Sequence, residues 1–396
     1  MLLLTEYFAP HPGGTAVYYH QLLRHMPSVE WTVVARTCPG SRRFDREQPV
    51  RIVRTPFPPV PKVRLLAEWV AMFLWGLVLT LWGRVDVLHA GQLFPVGLLV
   101  LALHRLTGRP YVVYLHGEEL AVLGRAPRTR RAVAAVLRSA GAIFANSHFT
   151  MRELARFGVG RERVHLVRPG VDLARFSSGD GRALRERLAP PGCKVLLTVG
   201  RLIPRKGQDT VIRLLRTLGA RIPVVYWIAG DGTPEERARL EALARECGVA
   251  DKVRFLGVVP DEELPALYAA CDVFVMLNRT TPSGDVEGFG MVFLEAAACG
   301  RPAVGGRSGG AVEAIRHGVT GYLVADGEDQ AAIEVLARLL QDPPLAARLG
   351  LAGRRLARRH GWGQRAARVA RVCAALCRPA PPATVAPRRD PLPWRP

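Results

Sequence analysis

Acidic residues are scarce in this chain of 396: 34 Asp and Glu stand against 55 Lys and Arg, a formal net charge of +21. The deficit is local as well as global, because no Asp or Glu falls between Leu120 and Arg152 or between Pro343 and Arg389. Arginines crowd both stretches, including the Arg125 to Arg131 cluster. An anionic membrane, nucleic acid, or a preference for arginine on solvated helix faces would each account for such an excess. No helix-turn-helix, aromatic RNA-stacking motif or zinc-finger spacing accompanies it, which makes nucleic acid the weakest of the three. The seven cysteines form no C-x-x-C pair and no Cys/His cluster of zinc spacing, and their number is odd. A disulfide framework and a structural zinc are thereby excluded as organising features, and reduced, cytosolic thiols are expected. Met1 leads directly into Leu2-Leu3-Leu4, with no basic lead, apolar run and small-residue cleavage site, so secretion is not expected. The short lead also leaves open a slightly trimmed first strand. Nor is there an apolar run of about 20 residues, the length a membrane span requires. The longest, Trp69 to Trp82, reads as a buried helix or as one partly sunk in a lipid interface.

What is present is the pattern of an α/β protein. At this length two domains of roughly 150 to 200 residues are expected. Apolar, β-branched runs alternate with helical patterns, as in a parallel sheet wrapped by helices. Expected strands are Leu2 to Thr5, Trp31 to Ala35, Arg51 to Arg54, Val85 to His89, Tyr111 to Leu115, Ala142 to Ala145 and Val164 to Val167. The pattern breaks around Arg168 to Asp172 and resumes with Val195 to Val199, Val224 to Ala229, Val253 to Leu256, Val273 to Leu277, Ala303 to Gly305 and Gly321 to Val324. Two Rossmann-like domains follow, 1–175 and 176–358, then a terminal helix over 359–377 packing back on the first domain and a Pro-rich, disordered tail over 378–396. No short-period repeat occurs.

Ligands of open α/β sheets sit beyond the carboxyl ends of the strands, so the polar residues there are the candidates for chemistry. In SGDVEGFGMVFLEAAACG, Ser283 to Gly300, a Gly-rich turn enters a helical pattern. Exposed N–H groups at a helix start attract anions, and Gly288 and Gly290 let a phosphate or sugar approach the main chain. Glu287 precedes that helix and Glu295 lies in its second turn. Both fit a ligand-binding role or a plain helix-dipole and solvated-face role. Upstream, TVGRLIPRKG, Thr198 to Gly207, follows a strand. Its Arg201 and Lys206 suit one phosphate group, where fixed cations stabilise a leaving diphosphate without a metal. His116-Gly117 ends the strand YVVYLH, and Gly13-Gly14 forms either a tight turn or a flexible phosphate-approaching loop.

Glu-x7-Glu from Glu287 to Glu295, together with the GRL-x-x-x-KG segment, resembles the family four retaining glycosyltransferases of GT-B fold. Gly13-Gly14, His116-Gly117, Asn146-Ser147, Pro169-Gly170-Val171-Asp172 and Gly309-Gly310 before Glu313 extend the resemblance to about Ala375. It implies two Rossmann-like domains with parallel sheets facing across a cleft that holds a nucleotide-sugar donor. Arg201 and Lys206 then match the residues that bind donor pyrophosphate. Glu287 matches the carboxylate on the transferred hexose, Glu295 the one on the ribose hydroxyls, and His116 the histidine that touches the hexose. Backbone N–H groups of Gly288, Phe289 and Gly290 help hold sugar and phosphate, and Gly13 and Gly14 approach the donor. Retention implies attack on the leaving-group face with the donor phosphate as base, or double displacement through Glu287. No Asp-x-Asp stands between the domains, so neither a metal nor a cofactor is expected. The 285–315 segment is similar to the phosphatidylinositol mannoside mannosyltransferases, which favours GDP-mannose as donor over UDP-glucose or UDP-N-acetylglucosamine, and a lipid-linked or glycan acceptor over a soluble one. A cytoplasmic enzyme, peripheral on the inner face of an anionic membrane, is the corresponding expectation.

Overall fold

The structure is a computed structural model and describes residues 1–55, 61–117, 119–120 and 127–377. Arg125 and the Pro-rich tail therefore lie outside the described residues. Strands β1 (Leu2–Thr5), β2 (Thr32–Arg36), β3 (Arg51–Thr55), β4 (Leu88–Ala90), β5 (Tyr111–Leu115), β6 (Ala142–Ala145) and β7 (Val164–Leu166) form one sheet. Its order is β3-β2-β1-β4-β5-β6-β7. A second sheet comprises β8 (Lys194–Val199), β9 (Val224–Ala229), β10 (Val253–Gly257), β11 (Val273–Met276), β12 (Ala303–Gly306) and β13 (Gly321–Val324). Its order is β10-β9-β8-β11-β12-β13. Every pairing in both sheets is parallel. The chain thus folds as GT-B, two Rossmann-like α/β domains, and strand order reverses beside β1 and again beside β8.

The apolar runs of the central strands have a direct cause. Helices cover both faces of each sheet, so consecutive side chains are both buried and alternation is lost. In the first sheet Leu2, Leu4, Val113 and Leu115 pack under the helices Pro61–Trp82, Val96–Thr107 and Pro127–Ser139. Leu3, Val112 and Tyr114 pack on the other face, against Gly14–Arg24 and the chain's last described helix, Trp362–Leu376. That last helix buries Trp362, Ala366, Val369 and Cys373, a stripe of helical period, and so closes the core of the first domain from the far end of the sequence.

Two expectations are corrected. The strand expected at Val85 to His89 pairs only from Leu88. Val85 and Val87 are buried, but they lead the chain out of the preceding helix before the ladder begins. The apolar stretch expected as a helix of 14 residues is part of a longer one, Pro61–Trp82, of 22 residues. Its segment Leu65–Trp82 is long and apolar enough to cross a membrane, with a mean hydropathy of 1.8, yet only 28% of it is buried. It is not a buried helix. One edge is tied to the sheet: Glu68, fully buried, accepts from Arg36 Nε at 2.7 Å, and Met72 and Gly76 pack inward. At Gly76 any Cβ would lie 2.8 Å from Leu103, which sets how closely this helix approaches Val96–Thr107. The opposite edge exposes Leu66, Val70, Leu74, Val78, Leu81 and Trp82, the last at 80%.

Candidate active site

The carboxyl ends of the two sheets' strands face one another across a cleft of about 540 Å³. From the first domain it is lined by the loop after β1 (His11 to Thr15), by His116 after β5 and by Asn146 after β6. From the second it is lined by Gly200, Arg201, Arg205 and Lys206 after β8, by Gly230 to Gly232 after β9, and by Glu287 to Val292 with Glu295. Two helices start at this cleft from opposite domains: Gly14–Arg24 after Gly13, and Met291–Ala298 after Gly290. Neither has a side-chain cap, and a Cβ on Gly14 would sit 3.8 Å from Met291 Sδ. Two uncapped N-termini converging on one cleft favour an anion between them, because each carries a partial positive charge and free N–H groups.

The floor of the cleft is an ion cluster. Glu287, 8% exposed, accepts from Lys206 Nζ at 2.6 Å and from Arg205 Nη1 at 2.5 Å through the same oxygen, Oε2. Arg205 also pairs through Nε with Asp285 at 3.0 Å. Burial alone would raise the Glu287 carboxyl, but the two cations outweigh it and hold it at about 2. Burial lowers Lys206, with Glu287 opposing that and Arg205 adding to it. The turn that presents these cations is a single 3₁₀ turn, Pro204–Lys206, closed by Gly207 at φ 72°. A Cβ on Gly207 would lie 2.0 Å from the Leu277 carbonyl oxygen, so glycine is what lets the turn lie against the end of β11. Arg201, the other expected cation, lines the same cleft and has no carboxylate partner among the described residues.

Arg205 was not among the residues expected from sequence. It stands beside Lys206 in a chain rich in arginine, and only the 3₁₀ turn, which buries both side chains, separates it from the solvated arginines elsewhere. Tyr268 was also not expected: its hydroxyl donates to Glu295 Oε2 at 2.7 Å. Burial raises the Glu295 carboxyl, with that hydrogen bond opposing. His116 Nε2 lies 2.7 Å from the Tyr19 hydroxyl, which itself donates to the Gly91 carbonyl. With that proton committed, the hydroxyl accepts from His116 Nε2–H, so the network places the imidazole proton on Nε2. Burial lowers His116 to about 4, which makes it a neutral hydrogen-bonding group at pH 7 rather than a cation. Its backbone N–H and that of Gly117 both donate to Glu119 Oε2, at 3.0 and 3.1 Å.

The glycines of the 288–290 turn have local duties as well as a place on the cleft wall. A Cβ on Gly288 would fall 1.7 Å from the His116 carbonyl oxygen, so the two domains touch there backbone to backbone. Gly290 holds φ 82° at the helix start. A second tie between the domains is Glu313. Its Oε1 accepts the His148 N–H at 2.5 Å, at the start of the helix His148–Leu154, and its Oε2 accepts from Arg168 Nε at 2.8 Å.

Paired Rossmann-like sheets of this order, with a cation-lined, carboxylate-containing cleft between their strand ends, define the GT-B class of glycosyltransferases. The chain belongs to that class's family four: residues 12–175 match the model described as Glycosyltransferase Family 4, and residues 182–356 match Glycosyl transferases group 1. It is 37% identical over 391 residues to the GDP-mannose-dependent alpha-(1-6)-phosphatidylinositol monomannoside mannosyltransferase of Mycolicibacterium smegmatis, across 94% of this chain and 97% of that one. It is 32% identical to the D-inositol 3-phosphate glycosyltransferase of Acidothermus cellulolyticus, across 85% and 80%. Among solved structures, Anabaena HepE in complex with UDP and glucose matches with a TM-score of 0.80 at 22% identity, covering 94% of this chain and 99% of that one.

Proposed function

We propose that this glycosyltransferase moves mannose, with retention, from GDP-mannose to an inositol-phospholipid acceptor at a membrane surface, without a metal ion. The observation that carries the chemistry is Glu287 held between Lys206 and Arg205 beneath two converging helix starts. An incoming diphosphate competes with Glu287 for Lys206. As the glycosidic bond breaks, negative charge grows on the leaving diphosphate, where Lys206, Arg201 and the free N–H groups of the two helix starts stabilise it. These fixed charges take the part a divalent ion plays elsewhere. Glu287, released from Lys206, orients the hexose, and Glu295 with Tyr268 receives the ribose hydroxyls. Neutral His116, with its Nε2 proton on Tyr19, accepts a single hydrogen bond at the sugar through Nδ1 rather than supplying charge. The acceptor attacks from the leaving-group face, and the donor phosphate takes its proton, so no opposing base is required.

The donor and acceptor rest on the relatives: the Mycolicibacterium protein is named for GDP-mannose and a phosphatidylinositol monomannoside, the Acidothermus protein for an inositol 3-phosphate. Membrane contact is supported by the exposed apolar edge of Pro61–Trp82. Two helices away in the same layer, Pro127–Ser139 exposes Arg128, Arg130, Arg131 and Arg138. An apolar edge flanked by cations suits an anionic interface. Thermal stabilisation by GDP over UDP and ADP, followed by transfer of mannose to phosphatidylinositol monomannoside in the presence of EDTA, tests the reading. Stabilisation by UDP alone would transfer the donor to the UDP-sugar class. Loss of turnover in EDTA would remove the metal-free account. Vesicle co-sedimentation that survives neutralisation of the 128–131 arginines would remove the anionic-interface account.

A further inference from the structure

A second cavity, of about 630 Å³, shares no lining residue with the donor cleft and lies between the end of β7 and the helix Trp362–Leu376. Arg168, Arg365, Arg368 and Arg371 line it together with His165 and Gln364, and no carboxylate does among the described residues. Two of its arginines differ from the solvated ones elsewhere in how they are held, whereas Arg368 and Arg371 are exposed at its mouth. Arg168 is fixed by Glu313 on one side, and Arg365 Nη1 is fixed by the carbonyls of Arg359 and Gly361 at 2.9 and 3.0 Å. Arg368 and Arg371 come from the same face of the helix and have neither carboxylate nor carbonyl partner among the described residues. The cations also crowd one another: burial and then Arg168 lower Arg365, and burial and then Arg368 lower His165. A concave site that holds two guanidiniums in place and leaves two more without counter-ions is built to receive an anion.

We propose that this cavity binds a phosphate monoester, with the guanidinium forks of Arg365, Arg368 and Arg371 on the phosphate oxygens. Four cations call for a ligand with more than one negative charge, and the room beside Leu166, Val167 and Val372 accepts a small phosphorylated polyol rather than a bare halide. The ligand is a soluble ester rather than a lipid headgroup. The cavity is on the opposite side of the first sheet from the apolar edge of Pro61–Trp82, so a flat bilayer under that edge leaves the cavity facing away. Arg168 forms one wall and also reaches Glu313 in the other domain, which puts the bound phosphate one side chain from the interdomain tie.

Isothermal titration of the full chain with glycerol 3-phosphate provides the test. Wild type and Lys206→Ala are expected to bind one equivalent with equal affinity, which separates this site from the donor cleft. Arg368→Glu is expected to weaken binding at least tenfold while leaving stabilisation by GDP in place. Arg368→Gln/Arg371→Gln serves as the milder variant should charge reversal disturb the fold, and its expected loss is also at least tenfold. Unchanged affinity in the double variant, a titration that does not saturate, or binding lost in Lys206→Ala instead overturns the proposal. Binding to phosphatidic acid vesicles through Arg368 with none to glycerol 3-phosphate also overturns it, because the source would then be lipid.

Discussion

Glu287→Gln should uncouple the second domain's stability from acid. The wild-type carboxyl falls from an ordinary 4.5 to about 2 on folding, because two buried cations outweigh its own burial. A depression of that size is worth roughly 3 kcal/mol. The folded value lies below the unfolded one, so this contribution is complete above pH 4.5 and is lost as pH falls toward 2. Amidation removes the carboxylate that pairs with Lys206 and Arg205, while Arg205 keeps its pair with Asp285. At pH 7 the variant should therefore be less stable by about 3 kcal/mol, the low end of the cost of breaking a buried pair. Urea unfolding followed by far-ultraviolet circular dichroism, at steps from about pH 7 to pH 2.5, should show the two proteins converging through the acid range, since the variant has no such carboxyl to lose. A difference that stays constant across that range would refute the account of the ion cluster. The same substitution frees Lys206 and Arg205 for a diphosphate, so GDP should bind more tightly, by about tenfold or 1.4 kcal/mol, even as transfer slows. Weaker GDP binding would show that Glu287 supports the cations rather than competes for them.

Three further outcomes are expected. Because burial lowers His116 to about 4, no limb near pH 6.5 in the rate profile belongs to it; a limb there that disappears in His116→Gln would contradict the neutral imidazole. Gly288→Ala places a methyl 1.7 Å from the His116 carbonyl oxygen, so the domains must shift apart. A loss of about 1–3 kcal/mol in stability is the expected scale for overpacking, with a larger fractional loss of turnover, and a variant with wild-type melting and turnover would mean the contact is not made in solution. Leu74→Glu and Trp82→Glu alter exposed positions, so stability should change by less than about 0.5 kcal/mol while vesicle co-sedimentation falls; undiminished binding would place the membrane contact elsewhere.

Much of the fold was legible because parallel strands buried on both faces leave continuous apolar runs, and all thirteen expected strands overlap observed ones. What local pattern does not carry is distance. Glu313 and His148 are 165 residues apart, and nothing in either segment announces that one accepts the other's backbone N–H. Arg205 was missed for a related reason: neighbouring basic residues look alike until a turn decides which are buried. At Gly288 the sequence suggests the approach of a phosphate or sugar, while the neighbour the fold places against it is the His116 carbonyl of the opposite domain. The Trp69 to Trp82 run reads either as a buried helix or as one partly sunk in a lipid interface, because apolar content alone does not say how much of a helix a sheet can cover. Its inner edge is marked in the sequence by Glu68, a charge that belongs to the core only because Arg36 meets it there.

The helix Trp362–Leu376 covers one face of the first sheet, although roughly 200 residues of the second domain separate it from β7. On the ribosome that distance becomes time. At about 5–20 residues per second, the first domain waits about 10–40 seconds with Val112, Tyr114 and Phe144 lacking part of their cover, while the second domain is made. The second domain, whose own strands and helices are all in hand by Arg358, can complete its core first. Order of synthesis and order of completion are then reversed, and a released chain truncated before Trp362 would carry one finished domain and one that chaperones must keep from aggregating.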